Sequence, residues 1–219
     1  MRVGVISDVH ANTVALEAVA ADMPDVDVIV SAGDVVGYGP WPAECLEWVR
    51  DHGVLTVQGN HDRAVATGTT AGFNSQATAG IEYARETLSA EQRTWLGELP
   101  LERRLFDGRL KVVHGHPVDP DRYTYPRDFG PALLGQEDVL VLGHTHVQHA
   151  ERYGDGIIVN PGSVGQPRDG DPGAAYAVVD LDALTVDQHR VEYDVGDVIQ
   201  AVRDANLPRR IGMRLGSGH

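Results

Sequence analysis

The 219-residue chain has a single cysteine, Cys45, and a single lysine, Lys111. One thiol excludes an intrachain disulfide framework and any thiolate metal cluster. With lysine nearly absent, positive charge falls to arginine, and 18 basic residues face 32 acidic ones for a net charge of −14. A surface this negative repels a nucleic-acid backbone and an anionic membrane, so neither is expected as a partner. Long apolar runs are missing too: none approaches the ~20 residues needed to span a bilayer. The opening "MRVGVISDVH" meets Asp8 too early for a signal peptide, and a reducing cytoplasm is the expected location. The length suits one domain, residues 1–219, with a substantial core.

What is present is a repeated alternation. Apolar runs at 3–6, 26–30 and 54–57 are separated by segments of helical spacing at 11–21 and about 42–52. Strand–helix–strand–helix–strand implies a parallel sheet with right-handed crossovers, whose functional residues lie at the carboxyl ends of the strands. Residues 74–98 read as helical. From Leu101 the texture changes to β-like runs at 101–106, 109–114, 138–142, 149–153, 156–160, 173–180 and 183–192, several joined by hairpin turns such as Asp107-Gly108. An amphipathic segment follows from about Val195 to Ala205.

The ends of these runs carry the chemistry. "SDVH" places Asp8 and His10 after the first, "SAGDVVGYG" places Asp34 after the second, and "GNHD" places Asn60, His61 and Asp62 after the third. "KVVHGH" adds His114 and His116, and "VLVLGHTH" adds His144 and His146. Six of the ten histidines fall in these clusters. Singly, each motif reads as a turn, a cap or a hydrogen-bonded core histidine. Together they converge on one sheet edge, where buried carboxylates and imidazoles without a cation would be costly. Imidazole, carboxylate and amide without sulfur suit manganese, iron, zinc, nickel or cobalt. The donors are too many for one ion, and two ions about 3.5–4 Å apart are the common solution for phosphoester chemistry.

In this order and spacing, "SDVH", "GDVVGYG", "GNHD", "HGHP" and "GHTH" resemble the calcineurin-like metallophosphoesterase superfamily, and "NPGSVGQPRDGDP" resembles its small prokaryotic, phosphodiesterase-like branch. The resemblance implies a four-layer α/β/β/α sandwich of two mixed sheets flanked by helices. It implies that Asp8, His10 and His146 bind a first metal, that Asp34 bridges, and that Asn60, His114 and His144 bind a second. It makes His61 the general acid facing the leaving group, with Asp62 orienting its ring. The implied reaction is hydrolysis of a small phosphodiester, such as a cyclic nucleotide or dinucleoside polyphosphate, by a metal-bridging hydroxide.

Two alternatives stand beside it. A Ser/Thr-type phosphoprotein or phosphomonoester phosphatase is disfavoured because Gly37 and Tyr38 stand where that branch carries an arginine. A non-catalytic scaffold is disfavoured because every ligand position and His61 are filled. The substrate rim is sought in loops 38–42, 68–76 and 121–129, with Tyr38, His116, Tyr123 and Arg168 as contacts to the phosphate or its organic group. A modest exposed apolar face would support a homodimer.

Overall fold

Alternate residues of the first strand, β1 (Arg2–Ile6), belong to different cores. Val3 and Val5 face one apolar cluster and Ile6 another, as the period of two in an extended strand requires. The computed structural model, which describes residues 1–219, extends this division to the whole chain. One five-stranded sheet runs β10 (Thr185–Val191), β9 (Ala174–Asp180), β1, β2 (Val28–Ser31), β3 (Leu55–Thr56). The other runs β4 (Glu102–Leu105), β5 (Leu110–Val113), β6 (Val139–Val141), β8 (Gly156–Asn160), β7 (His149–Tyr153). Both are mixed: β1, β2 and β3 are parallel, as are β5, β6 and β8, with antiparallel partners at their edges.

The inner faces meet through Val3, Val5, Val112, Val141, Val159 and Val179. Outside the first sheet lie α1 (Thr13–Asp22), α2 (Pro42–Asp51), α3 (Asn60–Thr67), α4 (Ser75–Thr87) and α5 (Ala90–Glu98). Further along, α6 (Val195–Asp204) and α7 (Arg209–Met213) pack with Tyr38 and Ala77. The outer face of the second sheet buries Val113, Leu140, Leu142 and Ile158 under Phe129, Leu133 and Leu134, so its cover is thin and built around the 3₁₀ turns Pro126–Asp128 and Pro131–Leu133. Lys111 also belongs to that outer face; it is buried and pairs with Glu102 at 2.8 Å.

One helical expectation needs correction, and one helix has no counterpart in the sequence reading. The stretch 74–98 is two helices, because Leu88 leaves the helical conformation and Ser89 starts α5 with a reciprocal capping box to Gln92. The unforeseen helix is α3, which begins at Asn60 itself with Gly59 as N-cap. No helix is long and apolar enough to cross a membrane.

Candidate metal centre

Seven residues in the loops that leave the strands take left-handed backbone angles: Asp8, His10, Ala11, Asp34, Tyr38, His144 and His146, with φ between 49° and 66°. For residues bearing a Cβ this conformation costs on the order of 1–3 kcal/mol each, and it persists only where the surroundings dictate it. Backbone bonds do so here: Asp8 N donates to Gly33 O (2.9 Å), His10 N to Asp34 O (3.0 Å) and Ala11 N to Val35 O (2.9 Å), tying the first loop to the second. The result turns three potential donor groups toward one centre: Asp8, His10 and His146; His10, Asp34 and His61; and Asp34, His114 and His144, each with ligand atoms within 4.8 Å of one another. Asn60 joins them, its Oδ1 lying 3.0 Å from His114 Nε2.

The imidazoles are oriented from behind. His10 Nδ1 lies 3.2 Å from Val36 O, His114 Nδ1 2.7 Å from Ala32 O and His146 Nδ1 2.6 Å from Gln166 O. His144 instead directs Nε2 to Asp121 O at 3.2 Å. Each ring thus has one N–H placed to donate to a carbonyl and keeps the other nitrogen for the centre, the arrangement by which outer-shell partners fix a ligand's tautomer. His10 Nε2 and His146 Nε2 face each other at 3.0 Å, and the buried Asp8 Oδ1 has no hydrogen-bond donor. Two facing lone pairs beside an unpartnered carboxylate oxygen fit a divalent cation, and the donor set is one that borderline and harder cations accept.

Electrostatics divide the imidazoles. Burial pushes the imidazoles of His10, His144 and His146 down, His144 to about 3, so they are neutral and ready to ligate. Burial also opposes charge on His114, but Asp34 and Asp8 more than offset it and hold its imidazole at about 10, so this ring must release a proton to a cation that it ligates. Burial disfavours charge on Asp8 and Asp34 as well, yet the protonated forms of the adjoining imidazoles, His146 at the first and His114 at both, favour the carboxylates and keep both below the usual range.

His61 sits at the start of α3, its backbone N–H donating to Asp34 Oδ1 at 2.8 Å. Its ring packs against His10, Tyr38 and Phe73 with centroids 4.7–4.9 Å away. Burial pushes it down to about 4. Asp62 does not orient it. The Asp62 carboxylate accepts from the backbone N–H groups of Asp34 (2.8 Å), Gly59 (3.0 Å) and Val36 (3.2 Å), while His61 Nδ1 is buried without a partner. Three converging N–H donors outcompete a ring on the same helix turn, so Asp62 ties the second loop to the third.

Among the expected contacts, Tyr38, Tyr123 and Arg168 line one polar recess with Asp34, His61 and His146. Arg168 Nη2 lies 3.4 Å from the Tyr38 hydroxyl and 2.7 Å from Gln166 Oε1, with no carboxylate neutralising it. His116 does not reach the recess. Its Nδ1 accepts from Val118 N at 3.2 Å within a turn closed by a His116–Asp119 bridge. Sequence reasoning passed over Phe73, Arg63 and Asp121, which also adjoin the site. Phe73 and Asp121 lay in rim segments already singled out; Arg63 had no local signal beyond following "GNHD".

Fold and donor set together define a class, the metal-dependent phosphoester hydrolases. The chain belongs to the calcineurin-like phosphoesterase superfamily, whose domain model matches residues 1–184. It is similar to a metallophosphoesterase of known structure from Sphaerobacter thermophilus, at 38% identity and a TM-score of 0.85 with both chains fully covered. It is 32% identical to the uncharacterized protein MJ0912 of Methanocaldococcus jannaschii over 97% of this chain and 96% of that protein. It is also 32% identical to the phosphodiesterase YfcE of Escherichia coli K12, over 85% of this chain and 91% of that one.

Proposed function

We propose that the protein hydrolyses small phosphodiesters at a centre of two divalent ions, manganese first among the candidates. In this reading Asp8, His10 and His146 would hold one ion and Asn60, His114 and His144 the other, with Asp34 available to both. The observation that carries it is the pairing of Asp34 with both flanks: its Oδ2 lies 3.8 Å from His10 Nε2 and 3.4 Å from His114 Nε2. The similarity to a protein named a phosphodiesterase supports a diester over a monoester substrate. So does the absence of an arginine in "GDVVGYG", which disfavours the phosphoprotein alternative.

Two cations bound there supply Lewis-acid stabilisation of the phosphate and a more acidic water as nucleophile. The chain's own residues do the rest. Arg168, free of a carboxylate partner, binds a phosphate oxygen and orients the ester. His61 has Nδ1 enclosed and Nε2 left for the recess, from which it gives a proton to the leaving oxygen. The negative ester beside the ring favours its protonated form. The buried walls around Asp34 exclude bulk water and so strengthen each of these interactions.

The test is hydrolysis of bis(p-nitrophenyl) phosphate and p-nitrophenyl phosphate by metal-stripped protein resupplied with Mn²⁺, Ni²⁺, Co²⁺, Zn²⁺ or Mg²⁺. Metal-restored cleavage that favours the diester is expected. Cleavage independent of metal, or confined to the monoester, contradicts the reading.

A further inference from the structure

A cleft of about 500 Å³ opens beside the recess that holds His61 and Arg168. Asn60, Phe73, Tyr123 and His144 line both, so the cleft adjoins the space in which a phosphate would sit among the donor residues. The cleft is within the usual size range of small-molecule sites. The wall that the two spaces share is aromatic. Phe73 and Tyr123 supply aromatic surface, and Tyr123 is 47% exposed although its ring is braced against His144 at a centroid distance of 3.9 Å. Braced, half-exposed aromatics at the mouth of a polar site are surfaces on which a flat ring packs at little entropic cost.

Charge narrows the ligand further. The cation and the anion of the cleft, Arg63 and Asp121, pair with each other across its rim. No unneutralised basic side chain lines this space; the unpaired guanidinium, Arg168, belongs to the recess. The cleft is therefore suited to an uncharged group, and the ion pair at its edge presents both donors and acceptors to a polar rim. A second phosphate would meet only a guanidinium already paired with Asp121.

We propose that this cleft receives a flat, uncharged heteroaromatic substituent of the ester, of the nucleobase class, while its single phosphate occupies the adjoining recess. The proposal rests on the phosphodiesterase reading above and deepens it: a nucleoside phosphodiester or cyclic nucleotide fits better than a dinucleoside polyphosphate, whose further phosphates would have to displace Asp121 from Arg63.

Calorimetry on the manganese-reloaded protein tests it without recourse to turnover. Adenosine 5′-monophosphate and ribose 5-phosphate share the sugar and the phosphate and differ by the base. The nucleotide is expected to bind about 5- to 150-fold more tightly, the range that base–aromatic packing supplies. Tyr123→Ala should reduce that ratio to within twofold, and Tyr123→Phe should preserve it. Equal binding of the two probes to the parent protein overturns the proposal, as does an unchanged ratio in Tyr123→Ala. The two readings fail separately: diester hydrolysis with equal probe binding overturns only the cleft assignment. Base-selective binding by a protein that hydrolyses no diester keeps the cleft assignment and overturns the phosphodiesterase.

Discussion

His61 and Asp62 are neighbours in sequence and differ in what they do. His61 offers a ring nitrogen to the recess and makes no side-chain hydrogen bond, whereas Asp62 gathers three backbone N–H groups from two loops. His61→Ala should therefore leave folding and metal content near the parent values and lower kcat about 10²- to 10⁴-fold, most for esters with poor leaving groups. Equal losses across leaving groups of different pKa would contradict a proton donor. Asp62→Ala orphans buried donors, each worth about 1–3 kcal/mol, and should lower the thermal midpoint and the metal content together. A variant as stable as the parent would show that the carboxylate is not a clamp. Sequence spacing could not separate these roles, because both residues arrive in the same "GNHD" and only the tertiary approach of Val36 and Asp34 decides where the carboxylate turns.

The loops after β1, β2, β3, β5 and β6 act as elements in their own right. Two glycines show how closely they are packed. A Cβ on Gly59 would overlap the Asp34 carboxylate, and one on Gly37, whose φ is +93°, would overlap His61 Nδ1. Gly37→Ala should displace the His61 ring and lower kcat at least tenfold while two ions still bind; loss of the ions instead would place its effect on the ligands. The strands, the hairpins and the donor clusters were legible in the sequence, because each is a local pattern: an apolar run followed at once by a polar ligand. What was illegible depends on distant partners. The start of α3 at Asn60 was masked by the ligand motif itself. The break at Leu88 was signalled by Ser89 and Gln92, a capping box overlooked inside a longer helical period. The packing of α6 and α7 beneath Tyr38 has no local signature at all.

At the scale of the molecule, buried carboxylates and imidazoles held in left-handed backbone are a cost that the hydrophobic cores on both sides of the first sheet must offset. A ligand that binds only the folded state returns part of that cost. At a free Mn²⁺ concentration of 100 times its dissociation constant the gain is about 2.7 kcal/mol for one site. For a chain of this length that is roughly a 5–10 °C rise in thermal midpoint, reversed by a chelator. No shift in scanning calorimetry would mean that the donors hold no cation. The direct test of the central claim is a count of the ions: titration of the metal-stripped protein with Mn²⁺, read by elemental analysis after buffer exchange, for the parent and for Asp34→Asn. Two ions per chain in the parent and fewer than two in the variant are predicted. One ion per chain in the parent, or two bound with unchanged affinity when Asp34 is asparagine, would contradict a dinuclear centre bridged by that carboxylate.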